Sequence, residues 1–556
     1  MLTLEAIAAS KSALGVDFNG VFVPTDIAWS AQLKAFGELG FEEGFATSLL
    51  ESSFTAAVQR SLLEALETRL RLAPAPAQSA KLPTIEFDSN VEAQVSRAIA
   101  SAWQLTPDVP SILGLRLELS KHAMRIGEIA RREARLGVEG RQARVQTYGG
   151  LDSALVPSIS IGLDAAEAAV PSIRGEKWAL LFDELELAPA IIRNRILESM
   201  RSVDDRLIFK IALSPYSDDL NLLKSAMSSM PGHDYDEISL SYGRKESGLD
   251  FTLDLMQSIL RARAHPSENL LAVFGESTFP VDTSVSARLR HLESSAENAS
   301  RQTRLIRELA RNDRSFRAYI DRTAGSVQAF LGLRGDQRAQ KVRKVLPLVV
   351  VRSAFRVPDG SAVSGKRRYN TRKNPQIYAG LVSLATTLEG NPRWIIGVMN
   401  TLLDESPGTS VSADRQSAEL AKTANRFKAL LATIPVPDTP PLRRRGLVAF
   451  VDTVGSYFKE RVIADDFNPD PVGSFIVDSH ASEALLQVVG NALNNGAIVH
   501  VPEPGGSAVL TSLRGKRFRL SYLLATEYGL PLRLERDASL LRVISRTPRL
   551  KQEALF

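Results

Sequence analysis

Two adjacent carboxylates at the end of an apolar run are the residues in this sequence best suited to chemistry. The run Trp178-Ala179-Leu180-Leu181-Phe182 ends in Asp183-Glu184-Leu185-Glu186. A near-continuous apolar run of this length suits a central parallel strand covered on both faces. Ligands of open α/β sheets sit in the crevice at the carboxyl ends of such strands. A first carboxylate there can hold Mg2+, which takes oxygen ligands and keeps much of its water. A second can orient or deprotonate an attacking water. Asp183 stands in the metal position and Glu184 in the base position; a strand whose acidic end merely caps the next helix would read the same way. Ser214, after the run Leu207 to Leu213, can reach a phosphate or that water from the neighbouring strand, although before Pro215 it also suits a plain turn. Arg393 stands in Leu388-Glu389-Gly390-Asn391-Pro392-Arg393-Trp394, where an Arg at a helix start can close on phosphates as its subdomain docks. The plain alternative is a surface residue beside an Asn-Pro turn.

The elements that must position these residues follow from periodicity. Val16 to Val23 is a short apolar run stopped by Pro24, which cannot donate to a ladder, and reads as a buried strand. Helical patterns fill residues 28 to 70 and 91 to 135. The basic face Lys121, Arg125, Arg131, Arg132 and Arg135 on the second reads as a solvated face. Ser158 to Gly162 is the weakest strand candidate, Trp178 to Phe182 and Leu207 to Leu213 are stronger, and Asp236 to Tyr242 is a fourth. A helix from Ala190 to Met200 between the two strong strands makes a βαβ unit, hence a parallel sheet. Beyond about residue 250 the pattern is mostly helical, with one helix over 299–323 and a lone strand-like run, Leu346 to Val351. The Pro-rich stretch Pro435 to Pro441 reads as a linker.

Residues 511 to 551 hold ten Lys and Arg against three acidic residues, a net of +7. Arg514-Gly515-Lys516-Arg517-Phe518-Arg519 interleaves cations with an aromatic, a composition suited to a phosphate backbone. The alternation of Phe518, Leu520, Tyr522 and Leu524 suggests a strand with Arg517 and Arg519 on its other face. A solvated or protein-facing basic edge is the equal alternative.

Composition sets the outer bounds. The chain has 556 residues, 68 Lys and Arg against 63 Asp and Glu, 44% hydrophobic residues and 24% charged ones. These are globular proportions, which exclude disordered and fibrous classes. The absence of cysteine excludes disulfides, thiolate zinc sites and cysteine nucleophiles and fits a reducing compartment. No apolar run approaches the ~20 residues of a membrane helix, so a cytoplasmic protein without a membrane partner is expected. The six His residues are scattered without metal spacing, and no G-x-S-x-G elbow supports a serine hydrolase.

The set WALLFDELE, LIFKIALSP, HDYDEISLSY and LEGNPRWIIGVMN resembles bacterial AAA+ ATPases of the origin-recognition-complex-like type, over roughly residues 16 to 400. The resemblance implies that Asp183 and Glu184 form Walker B, that Ser214 is sensor 1 and that Arg393 is sensor 2. Arg201 or Arg206 would be an arginine finger reaching a neighbour's nucleotide. ATP and Mg2+ are the implied ligands. A winged-helix module on double-stranded DNA is implied at the C-terminal end, with Arg514, Lys516, Arg517 and Arg519 as its contacts. The implied fold is an α/β AAA+ parallel sheet over 1–245, a helical lid over 246–432, the linker 433–441 and a small basic domain over 442–556.

One departure stands out. The phosphate-binding loop G-x-x-x-x-G-K-[ST] that the family needs is absent upstream of Asp183. The near miss Gly360 to Arg367 ends in Arg and follows Walker B, so it reads as a basic loop. The first pattern in the chain, a helix over Leu2 to Leu14, is the one that should follow a P-loop lysine. The expectation is therefore that the first strand and P-loop lie upstream of Met1, and that this chain alone is inactive as an ATPase. The competing expectations are a pseudo-ATPase scaffold or nucleotide-independent DNA-binding protein, and a signalling ATPase with a defence-system effector. A homo-oligomer is a further expectation from the family.

Overall fold

The computed structural model describes residues 18–24, 43–72, 82–136, 154–183, 188–200, 204–212, 214–216, 245–279, 296–356, 376–404, 410–437, 446–502 and 512–545, with single residues between some of these. The strand expected at Asp236 to Tyr242, the helix at Leu2 to Leu14 and the loop Gly360 to Arg367 lie outside them. The chain divides into two compact units, Met1–Ile238 and Ser239–Phe556.

The first unit is built on a parallel sheet of β1 (Asn19–Pro24), β2 (Trp178–Asp183) and β3 (Leu207–Ile211), in that order. Asn19 pairs with Trp178 and Pro24 with Asp183; on the other side Trp178 pairs with Leu207 and Phe182 with Ile211. β2 is central because its side chains can be covered from both faces: Trp178, Ala179, Leu180 and Phe182 are all buried. The start of the sheet is pinned by Glu176. Its carboxylate accepts from Asn19 Nδ2 at 2.6 Å and from the buried Arg69 Nη2 at 2.6 Å. A one-residue slip of β1 would break the first of these bonds and turn Val21 and Val23 out of the core. Helix Glu43–Leu70 packs on β1 and on helices Ile112–Leu136 and Leu155–Ala169. Its Phe54 stacks on Phe182, which in turn stacks on Phe209.

Two expectations about this unit are corrected. Ser158 to Gly162 is not a strand but the middle of helix Leu155–Ala169, whose Leu155, Ile159, Leu163 and Ala166 are buried at helical spacing. Gly162 is where the Trp103 ring meets that helix: a Cβ there would lie 2.5 Å from the ring, and Trp103 Nε1 donates to the Ser158 carbonyl at 2.7 Å. The pattern over 91–135 is two helices, Ser89–Ala102 and Ile112–Leu136, separated by a segment that contains Pro107 and Pro110.

The second unit is mostly helical and carries a four-stranded mixed sheet. Its order is β5 (Ile498–His500), β6 (Arg517–Leu520), β4 (Val472–Ile476), β7 (Arg536–Ser539). β6 is antiparallel to both neighbours, and β4 and β7 run parallel. The sequence around the sheet runs helix Leu447–Val462, β4, helix Glu483–Asn494, β5 and β6. Leu346 to Val351 is not a strand: it lies in helix Lys344–Phe355, buried from Val345 through Arg352. A short run covered on all sides carries no period to separate the two readings. The turn before it, Arg338–Arg343, is wound as π-helix, a wider turn that suits Pro347, whose ring crowds the carbonyl four residues back.

The helix expected over 299–323 is broken at Asp313. Its Oδ1 accepts from the backbone N–H groups of Ser315 and Phe316 and so starts a new helix, Arg314–Ala324. The strand expected over 518–524 stops at Leu520, and Tyr522 and Leu524 belong to helix Tyr522–Glu527. Tyr522, Leu523, Leu524 and Ala525 are all buried, so the alternation carried no information there. Among the described residues no helix is long and apolar enough to cross a membrane.

Candidate functional site

The parallel sheet brings its carboxyl ends to one edge. Pro24 and Asp183 are the last paired residues of β1 and β2. The Phe182 carbonyl, one residue before Asp183, accepts from Ala212 N–H at 2.9 Å, which carries the ladder just past β3. Ser214 follows two residues later. After four buried residues in its strand, Asp183 is exposed, the sharp apolar-to-acidic change on which the sequence reading turned. Glu184 and Arg201 lie outside the described residues. Among the described residues no group of three His, Asp or Glu could hold a metal ion. Asp183 is the described carboxylate at this edge, and Mg2+ in nucleotide sites takes one or two carboxylates together with phosphate and water.

Arg206 is engaged in its own unit. Its Nη2 lies 2.8 Å from Asp164 and 2.8 Å from Asp204, and its Nη1 lies 3.1 Å from Glu167. The guanidinium beside Asp204 holds that carboxyl well below the usual range. To reach a neighbour's nucleotide, Arg206 would have to give up all three carboxylates. Elsewhere in the same unit, Glu133 is wholly buried and receives Arg144 through two nitrogens at 2.9 and 2.7 Å and the Tyr148 hydroxyl at 2.7 Å. Arg144 foremost, helped by Tyr148, holds the Glu133 carboxyl down to about 2 against the opposing effect of burial.

In the second unit, Gly390-Asn391-Pro392-Arg393 is a built helix start. Asn391 Oδ1 accepts from Arg393 N–H at 3.0 Å and Trp394 N–H at 3.3 Å. Pro392 takes the first helical position, where its missing donor costs nothing. Arg393 is exposed, and its guanidinium makes no hydrogen bond or ion pair among the described residues. A cation in the first turn opposes the helix dipole, so this position is electrostatically unfavourable for Arg393 unless an anion meets it.

The four cations proposed for nucleic acid are differently placed. Arg514 donates to the carbonyls of Ser479 and Ala481 and pairs with Glu483 at 2.8 Å. Arg517 donates to Ser474 Oγ at 3.0 Å and to the Glu535 carbonyl at 2.7 Å. Arg519 pairs with Glu389 at 2.5 Å and lies over the Tyr522 ring at 3.9 Å. Only Lys516, half-buried directly before β6, has no side-chain partner of this kind among the described residues. Three of these four cations thus help to hold β4, β6 and their neighbours together.

Glu389 escaped the sequence reading although it sits in the motif that carries Arg393. It ends helix Leu381–Leu388 in the left-handed region, at φ 50°, ψ 32°. That position usually belongs to Gly or Asn, and a Glu followed directly by Gly at a helix end was the available signal.

A family model described as ORC-CDC6-like matches residues 1–540. No curated protein and no solved structure matches the chain significantly.

Proposed function

The chain belongs to the ORC-CDC6-like family, and from that we propose that it is an AAA+ ATPase that changes conformation with ATP binding and hydrolysis. Exposed Arg393, unpaired among the described residues in the first turn of its helix, is the observation that carries this reading. A guanidinium there gains an anion partner only from outside the described fold, and a terminal phosphate offers bidentate, charge-assisted hydrogen bonding to its planar fork. Asp183, exposed at the carboxyl edge of the parallel sheet, is the proposed holder of Mg2+. Bound with the nucleotide, that ion would neutralise phosphate charge. Glu184 orients and deprotonates the attacking water, and Ser214 senses the γ-phosphate from the next strand. Arg201 is the better arginine-finger candidate, because Arg206 already holds three carboxylates.

Double-stranded DNA is the proposed macromolecular partner. Its support is topological: the order helix, strand, helix and then the antiparallel pair β5–β6 is one that a winged helix also uses, with β7 added here as a parallel fourth strand. The contacts would come chiefly from Lys516 and from groups other than the internally paired Arg514, Arg517 and Arg519.

The test is ATP affinity, measured on the protein expressed from its complete reading frame. Replacing Arg393 by Ala weakens binding if the reading is right. Unchanged affinity, or no binding at all, would leave the nucleotide-independent scaffold as the function of the fold.

A further inference from the structure

We propose that Glu389 and Arg519 are positioning residues that couple the Arg393 turn to the C-terminal sheet, so that phosphate contact and the placement of that sheet form one equilibrium. The inference rests on the phosphate reading of Arg393 given above.

Its basis is the two oxygens of one carboxylate. Glu389 Oε1 accepts from Arg519 Nη2 at 2.5 Å, and Oε2 accepts from the backbone N–H of Tyr522 at 2.5 Å. These partners are 130 and 133 residues away in sequence. The second bond caps helix Tyr522–Glu527 from outside, where its own N-cap residue, Ser521, makes no side-chain cap. A left-handed non-glycine residue costs about 1–2 kcal/mol, which the fold accepts at Glu389 although Gly390 follows directly. What the Glu supplies, and a Gly could not, is a carboxylate reaching β6 and the helix after it.

On its other side Glu389 is joined stiffly to Arg393. Gly390 N–H donates to the buried Thr252 hydroxyl at 2.9 Å, and Asn391 N–H donates to the Leu388 carbonyl at 2.9 Å. Asn391 then caps the helix that begins at Pro392. Each backbone N–H from Gly390 to Trp394 that exists is therefore bonded, and only three residues, without slack, separate Glu389 from Arg393. Arg519 is fixed as firmly. It lies at the end of β6, against the Tyr522 ring, with Nη1 donating to the Leu520 carbonyl at 3.0 Å. A displacement of β6 must then either break the Glu389 bonds or move the turn that presents Arg393. By linkage the converse holds: a phosphate that fixes Arg393 favours one placement of β6.

The experiment is a double-mutant cycle on ATP affinity in the protein expressed from its complete reading frame. Arg519→Met is expected to weaken ATP binding about 5- to 20-fold, and Glu389→Gln, which keeps the shape and loses the charge, to do the same. In an Arg393→Ala background both should have less than a twofold effect, because they act through Arg393. Arg519→Lys should recover part of the loss. A merely structural role would weaken binding equally in both backgrounds, and that result overturns the coupling. If Arg393→Ala weakens ATP binding while neither Arg519→Met nor Glu389→Gln does, the phosphate reading stands and the coupling is wrong. If Arg393→Ala has no effect, or ATP does not bind, both fall.

Discussion

The replacement of Arg352 by Met tests the interior of the second unit most sharply. Arg352 and Asp313 are buried together, 1% and 0% exposed, and Arg352 reaches Asp313 Oδ2 through Nε at 2.9 Å and Nη2 at 2.6 Å. Its Nη1 also donates to the carbonyls of Val462 and Ala464, each at 2.9 Å. Met fills much of the same volume, so the main loss is electrostatic. Removing one partner of a buried pair typically costs about 3–5 kcal/mol, because the other charge stays behind uncompensated. Arg356 Nε, 3.5 Å from the same Asp313 oxygen, retains part of the compensation. The Asp313 cap to Ser315 and Phe316 also survives, which places the expected loss near the lower end, about 3 kcal/mol. Asp313→Asn removes the stranded charge and keeps a capping oxygen, so the double variant should be more stable than Arg352→Met alone. What remains is the desolvation of the Val462 carbonyl, about 1–2 kcal/mol, because the Ala464 carbonyl keeps Arg356 Nη1 at 2.8 Å. The assay is urea unfolding read from hydrogen exchange at the amides of Phe316 to Ile320, which report on this unit alone. A loss under about 1 kcal/mol for Arg352→Met, or a double variant equal to the sum of the singles, would refute the reasoning.

Gly162→Ala is expected to destabilise by about 1 kcal/mol: the gain of up to about 1 kcal/mol in helix propensity is outweighed by overpacking, typically about 1–3 kcal/mol, against a Trp103 ring tethered to Ser158. A rise in the urea midpoint would contradict this. Glu133→Gln tests the Arg144 cluster through pH. The Glu133 carboxyl is held at about 2, below its ordinary 4.5, so its contribution is complete above pH 4.5 and is lost as pH falls towards 2. The stability difference between the native chain and Glu133→Gln should therefore be constant from pH 7 to 5 and shrink by pH 3; a difference that widens on acidification would be the opposite sign.

The central strand was legible because a strand buried on both faces leaves an uninterrupted apolar run, and Trp178 to Phe182 is one. Parallel pairing followed from the helix between β2 and β3. The same rule misled at Ser158 to Gly162 and at Leu346 to Val351, where helices buried on most sides leave similar short runs. The cap at Asp313 and the stop at Leu520 were hidden for another reason. The Asp313 cap is local, but a one-letter pattern does not show whether a polar residue caps or continues; beyond Leu520 the helix start at Tyr522 is held by Glu389, 133 residues away. The candidate cations show this most clearly. Arg393, Arg517 and Arg519 look alike in sequence; only tertiary placement separates the exposed Arg393 from two that hold the sheet together. For Glu389 the sequence offers only a Glu before Gly at a helix end; what the carboxylate holds is hidden, because its partners are 130 and 133 positions away.

The most direct test of the central claim is the ratio of ATP to ADP affinity in the protein expressed from its complete reading frame, with and without Arg393→Ala. A charged hydrogen bond to the terminal phosphate is worth about 1.5–3 kcal/mol, or about 10- to 150-fold in affinity. Arg393→Ala should weaken ATP binding by that factor and leave ADP binding within about twofold, collapsing the preference. Equal losses for ATP and ADP, or a preference that survives the substitution, would contradict the account.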